Sequence, residues 1–410
     1  VSDPIAAAAP CCLWLNADAD ASFTETQEVP SRLRRVAAGL TTHAIVGARR
    51  GDSVLLAAEP DAAFLGTLGS RLGMEAPTLV TGPPLPAPLC PLAWNHQAAA
   101  IAAASGHQTA HPEPEVVRRV NHRAFLAAIE GEHEPSTAPS LHQDLDSLLA
   151  RTHELLATMP RVVAKGAFGS ASTGNLRLAR HELEDPQGAL RLGQLLERHG
   201  AVVLEPWLTR RLDLCATGEV ACDGSVRFER LDRTVHTDSG SPLGTLFAPG
   251  DPLVEPHLEA MAEAVDLVGQ ALFTRGYFGP FCLDALVHEV DGELRLRRFV
   301  DLNARHPVSW PVRRWLAGRD RPGTYLWRLF VPPRLGARGV ARLDQLLAEP
   351  TAWDPDRSRG LVALAPTRIR LDRTWHTAPK LSVLLAGDSI AEVLRMEWEL
   401  RQQIDRRPPP

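Results

Sequence analysis

Two apolar runs, Phe281 to Val290 and Leu294 to Leu302, flank the dipeptide Asp291-Gly292. Asp-Gly between alternating apolar residues is a strong short-range hairpin signal, because both turn residues tolerate a positive φ. A two-residue turn sets the register, with Val290 opposite Glu293, Asp284 opposite Phe299 and Cys282 opposite Asp301. Side chains alternate between the faces of a strand, so Asp284, Asp301 and Asn303 project from one face. In this register Asp284 and Asp301 are diagonal neighbours about 7–8 Å apart, close enough to share a cation. Oxygen-only donors are what Mg²⁺ prefers beside nucleotide phosphates. The charged outer face of an ordinary hairpin is the competing reading. Against it stand the apolar neighbours on both strands and the run Asn303-Ala304-Arg305, which adds a neutral oxygen donor and a cation.

A second constraint lies upstream. Arg161-Val162-Val163-Ala164-Lys165 reads as a short strand leading into Gly166-Ala167-Phe168-Gly169-Ser170-Ala171-Ser172-Thr173-Gly174-Asn175. Glycines and hydroxyl residues in one loop can turn backbone N–H groups and hydroxyls toward an anion. Lys165 adds a point charge for phosphate. Lysine is almost absent from the chain, Lys165 and Lys380 standing against more than forty arginines, a bias that suggests a GC-rich genome. The loop is neither a Walker A motif nor a Gly-x-Gly-x-x-Gly.

Asp284 followed by Asp301-Leu302-Asn303-Ala304-Arg305 resembles the metal-binding end of the ATP-grasp superfamily, with Asp301 where Glu is usual. Lys165 and its loop resemble that family's Val-x-Lys and Gly-rich loop. The segment Arg118 to Leu126 is similar to the start of its ATP-binding half, with Arg123 where a lysine contacts the α-phosphate. Ala201 to Glu205, then Pro206-Trp207-Leu208, resembles the adenine hinge. The resemblance implies that the Pro206 carbonyl accepts from the adenine amino group, that Leu208 N–H donates to the ring, and that Asp213 meets the ribose. It implies ATP with Mg²⁺ (or Mn²⁺) as cofactors, Gly169, Ser170, Ser172 and Gly174 over the phosphates, and Asp284, Asp301 and Asn303 as metal ligands. Lys165 and Arg305 take the catalytic places, Arg305 beside an acyl phosphate or tetrahedral intermediate.

Strand and helix patterns alternate over residues 10 to 110, which argues for a parallel, Rossmann-like sheet. Cys11 to Leu15, Ser53 to Ala58 and Thr78 to Val80 read as strands. Pro30 to Gly39 reads as a helix, and Glu59-Pro60-Asp61 opens another that ends at Gly73. The expected fold class is α/β: a Rossmann-like domain over 1–110, then two ATP-grasp subdomains with nucleotide between them. The small, lid-bearing subdomain spans 111–205 and the metal-binding one 206–335. Residues 336–410 form a C-terminal extension packed on the core.

A net charge of −5 gives no basic field for nucleic acid. No apolar run approaches the 18 or more residues of a membrane span, and Val1 to Pro10 lacks the basic start of a signal peptide. The six cysteines show no Cys-x-x-Cys spacing, which fits reduced, mostly buried thiols in a cytoplasmic protein. The resemblance implies an ADP-forming ligase that joins a small amino-acid-like or peptide-like carboxylate to an amine through an acyl phosphate, in specialised metabolism. The expected partners are these small molecules, and a homodimer is compatible. Arg230, Arg233 and Arg305 are candidates to hold the carboxylate substrate. An ATP-grasp kinase acting on a hydroxyl, and a non-catalytic nucleotide binder, remain as alternatives.

Overall fold

A computed structural model describes residues 9–23, 31–107, 110–135, 137–169, 174–237, 240–319 and 323–405. The N-terminal part is a four-stranded parallel sheet in the order Thr78–Val80, Ser53–Leu55, Cys12–Trp14, Leu89–Pro91. Helices Ser31–Thr41, Ala62–Leu72 and His96–Ala104 accompany it. The second helix has the expected ends: the Asp61 carboxylate accepts from Phe64 N–H at 2.7 Å, and Gly73 closes it at φ 63°. Glu59–Pro60 are not part of this helix. They pair with Arg370 and Ile369 at the edge of a small sheet, tying the C-terminal region to this domain.

A second sheet is antiparallel, in the order Ser140–His142, Val202–Pro206, Arg161–Gly166, Asn175–Ala179. One face packs Val162, Ala164, Val202 and Leu204 against Leu148, Leu156 and Leu192 of helices Leu145–Thr158 and Pro186–His199. Alternation sends Val163, Lys165, Val203 and Glu205 to the opposite face.

The third sheet has nine strands and carries the hairpin at one edge. Its order is Glu293–Asn303, Gly279–Val290, Thr209–Val220, Val226–His236, Pro242–Phe247, Thr324–Phe330, Leu381–Gly387, Arg359–Ala363, Trp353–Asp354. Helix Leu258–Thr274 covers one face near the hairpin, where Leu214, Ala216, Leu231 and Leu283 meet Met261, Val265 and Val268. Farther along that face, helices Pro332–Ala348 and Ile390–Asp405 pack on Leu326, Val383 and Leu385. The other face of this far half carries Phe247, Tyr325 and Trp327, which join Leu13, Ile45 and Leu68 of the N-terminal domain in one core.

Two expected boundaries are corrected by this packing. Residues 336–410 do not merely pack on the core, because three of their strands complete the nine-stranded sheet. Helices Pro114–Asn121 and Arg123–His133, placed by sequence with the small subdomain, bury Val117, Val120, Leu126 and Ile129 in the core of the hairpin and its helix. Among the described residues no helix is long and apolar enough to cross a membrane.

Candidate active site

The hairpin turn forms as expected, with Asp291 at φ 52° and Gly292 at φ 83°. From Val290 opposite Glu293 to Leu286 opposite Arg297 the register is also as expected. It then shifts, so that Asp284 faces Asp301 and Cys282 faces Asn303, which corrects the sequence register. Three residues, 298 to 300, sit across from Ala285 alone. Each is anchored: Arg298 pairs with Glu134 at 2.5 Å, Phe299 is 1% exposed in the core, and the Val300 carbonyl accepts from Lys165 Nζ at 3.2 Å. The bulge makes the two carboxylates direct neighbours instead of diagonal ones, with Cβ atoms about 4.5–5.5 Å apart.

That proximity has an electrostatic signature. Burial, and then the Asp301 charge, push the Asp284 carboxyl up to about 6, with His236 and Cys215 opposing. Among the described residues the one side-chain partner of Asp301 is Arg123 Nε, in a long contact at 3.4 Å. Two close carboxylates without a full counter-charge fit a cation, and Asn303 supplies a third oxygen beside them. In this structure that oxygen, Oδ1, accepts from Arg305 Nη2 at 2.8 Å. Among the described residues no group of three or more His, Cys, Asp or Glu side chains is arranged to hold a metal ion. What Asp284, Asp301 and Asn303 offer is two carboxylates and an amide, an oxygen-only set of the kind that could take part in holding a hard divalent cation.

Register places further residues beside these. Asp301, Asp284, Cys215 and Asp232 form one row across four strands, and Asn303, Cys282, Thr217 and Arg230 form the next. Both rows lie on the face away from helix Leu258–Thr274. Arg233 projects from the helix side, where its Nε pairs with Asp251 Oδ2 at 3.1 Å, so it is removed from the candidate substrate residues. Arg230 stays on the cleft side, paired with Asp232.

Facing the hairpin across the cleft is Lys165, 7% exposed. Its ammonium lies 2.5 Å from Glu205 Oε1, while Glu205 Oε2 takes Arg297 Nη2 at 2.7 Å. Arg297 also forms a fork with Glu130, at 2.7 and 2.9 Å. Burial alone would raise the Glu205 carboxyl, but Arg297 and Lys165 outweigh it and hold it down to about 2. Sequence reasoning missed Glu130 and Arg297. The signal was there for Glu130, which shares the apolar stripe of its helix with Leu126 and Ile129. These residues, with Arg123 and Asp301, line one shared pocket.

Arg123 is already engaged with the glycine loop. Its guanidinium donates to the carbonyls of Gly166 (2.5 Å) and Gly169 (3.4 Å), and its N–H donates to Ala167 O at 3.0 Å. Gly166 N–H donates to Gly174 O at 2.9 Å and closes the loop's base. Added Cβ atoms would meet the His199 ring at 2.4 Å from Gly166 and 3.2 Å from Gly174, whose φ is +80°. Ser170 and Ser172 lie outside the described residues.

At the expected hinge, Pro206 ends its strand opposite Val162, and Trp207 N–H donates to Arg161 O at 3.0 Å. The guanidiniums of Arg177 and Arg210 lie 5.1 and 5.6 Å from the Trp207 ring. Leu208 N–H has no backbone partner among the described residues. Asp213 is bonded by Arg210 and lies 3.3 Å from His236 Nδ1. Burial would raise its carboxyl, but His236 and Arg210 outweigh that and lower it. Arg305, 7% exposed, is gripped by Asp20 of the N-terminal domain, with contacts of 2.7, 3.1 and 3.2 Å.

Against solved structures the chain aligns over nearly its whole length. N5-carboxyaminoimidazole synthetase from Staphylococcus aureus, complexed with ADP, matches with a TM-score of 0.55 at 10% identity, over 97% of this chain and 98% of that one. N5-carboxyaminoimidazole synthase from Aspergillus clavatus, in complex with ADP and 5-aminoimidazole ribonucleotide, gives 0.53 at 10%, over 97% and 99%. Phosphoribosylamine–glycine ligase from Thermotoga maritima gives 0.53 at 15%, over 96% of each chain. The chain has the ATP-grasp fold. The expectation of an α/β ATP-grasp architecture is thereby borne out. Comparison with protein-family models and with curated protein sequences gives no match.

Proposed function

We propose that this ATP-grasp protein is an ATP-dependent carboxylate–amine ligase that releases ADP. One observation carries the reading: a single cleft brings Lys165 and Arg123 against two directly opposed carboxylates, Asp284 and Asp301, whose mutual repulsion calls for a cation. The fold supports it, since one structure of the same fold was solved with ADP and an amino compound together.

In this reading the loop at Gly169, Ser170, Ser172 and Gly174 covers the ATP phosphates, with Arg123 and Lys165 at its base. Pro206 and Leu208 hold adenine through their backbones, and Asp213 turns toward the ribose. Mg²⁺ at Asp284, Asp301 and Asn303 would supply charge neutralisation on the outer phosphates. A carboxylate oxygen attacks the γ-phosphorus, the β–γ bond breaks and ADP leaves. The amine then attacks the acyl carbon and expels phosphate. Arg305, held by Asp20 beside Asn303, stands where the negative charge of the tetrahedral intermediate develops.

Nucleotide products and a trap test the reaction. With the right carboxylate, ADP forms, and hydroxylamine captures a hydroxamate when the amine is withheld. With both substrates, phosphate and amide appear in equal amounts. AMP with pyrophosphate would overturn the mechanism, and a stable phosphorylated product without hydroxamate would assign a kinase.

A further inference from the structure

We infer that the cleft contains a second anion site, built by Arg230 and Arg313, that takes a remote carboxylate or phosphate of the substrate. The inference rests on the ligase reading of the same cleft and adds the class of its substrate. Arg313, on helix Trp310–Ala317, reaches down onto the two side-chain rows. Its Nη1 donates to Thr217 Oγ1 and its Nη2 to Asp232 Oδ2, both at 2.7 Å. From the sheet, Arg230 sends its Nε (3.0 Å) and Nη2 (2.8 Å) to Asp232 Oδ1. Two guanidiniums therefore share one carboxylate, which leaves a net positive charge.

The contrast with the neighbouring arginines is informative. Arg297 is met by two carboxylates, Glu130 and a Glu205 that it shares with Lys165, and Arg305 and Arg314 have one each, Asp20 and Asp52. In Arg313, whose side chain is 10% exposed, Nε is buried and has no acceptor among the described residues. A buried donor left unanswered is costly unless a ligand answers it. Arg230 is the accessible member of the pair at 39% exposure, with its guanidinium 5.5 Å above the Phe247 ring. Planar guanidinium forks match the oxygens of a carboxylate or a phosphate.

Position gives the site its meaning. Asp232 and Asp284 are two strands apart in one row, with Cys215 between them. Neighbouring strands lie about 4.8 Å apart, so the anion site is about 10 Å from the paired carboxylates. A substrate spanning both carries its reacting carboxylate at the Asp284 end and a second anionic group at the Arg230 end.

The test is calorimetric titration of the full chain, saturated with Mg²⁺ and a non-hydrolysable ATP analogue so that the phosphate-binding loop is filled. Inorganic phosphate and glutarate are the probes, in separate arms. At least one should bind saturably, and which one does identifies the group as phosphate or carboxylate. Arg230→Gln and Arg313→Gln should each weaken that probe at least tenfold, with Arg230→Lys falling between. Arg230 is half exposed, so its variant remains informative if Arg313→Gln fails to fold. Binding of neither probe, or unchanged binding in Arg230→Gln, overturns the site. If the wild-type chain does not bind the ATP analogue, the ligase reading fails instead, and phosphate titration of wild type against Arg230→Gln without nucleotide still decides the anion site.

Discussion

Lys165 shows how much of this site rests on single charges. Its ammonium is shared between Glu205 and the Val300 carbonyl, so its removal affects both the ligand and the fold. Lys165→Ala should raise the dissociation constant for an ATP analogue at least tenfold, about 1.4 kcal/mol, by calorimetry. It should also change the stability profile in acid. The Glu205 carboxyl lies at about 2 in the folded chain against an ordinary 4.5, so its contribution is present above pH 4.5 and is lost as pH falls through about 2. Denaturant midpoints over that window should fall less steeply in Lys165→Ala, where Arg297 alone holds the carboxylate. Asp284 has the opposite sign. Its carboxyl is raised from 3.8 to about 6, so the folded state loses stability as pH rises through 6. Asp284→Asn should therefore melt above wild type at pH 7 in chelator, match it near pH 4, and lose Mg²⁺-dependent turnover. A variant that retains turnover would remove Asp284 from the metal site.

At the scale of elements, the hairpin divides into a half that local sequence specifies and a half that it does not. Positive φ at Asp291 and Gly292 is written in the dipeptide itself, and the first pairs of the ladder follow from it. A Cβ at Gly292 would meet nothing within 4 Å, so Gly292→Ala costs only backbone strain. Denaturant midpoints should register a loss of roughly 1 kcal/mol, with turnover unchanged because the turn lies at the far end from Asp284. The bulge was not legible. It depends on Phe299 finding the core and on Lys165 reaching the Val300 carbonyl, contacts between segments remote in the chain. For the same reason Lys165, Asp284 and Asp301 could be named from spacing, whereas Arg313 could not, since its role depends on Asp232 and Thr217. Arg233 was misplaced because strand parity puts it on the face opposite Arg230, and composition carries no information about parity.

At the scale of the whole molecule, two buried ion pairs among the described residues fasten the N-terminal domain to the rest, and they serve different ends. Asp52 accepts from Arg314 Nη2 at 2.7 Å, with Arg314 Nε on the Gly47 carbonyl at 2.9 Å. Asp20 grips Arg305, whose Nη2 in turn reaches Asn303. Removing one partner of a buried pair leaves an uncompensated charge and costs about 3–5 kcal/mol. Asp20→Asn and Asp52→Asn should therefore both lower thermal stability. Only the first bears on the cleft. With Asp20 neutral, Arg305 is free to turn, so turnover in Asp20→Asn should fall at least tenfold while the ATP analogue binds as before. Asp52→Asn should keep wild-type turnover at temperatures where it remains folded. Equal kinetic losses in the two variants would mean that the domain acts on the site through rigidity alone, and Arg305 would lose its place beside the reacting carboxylate.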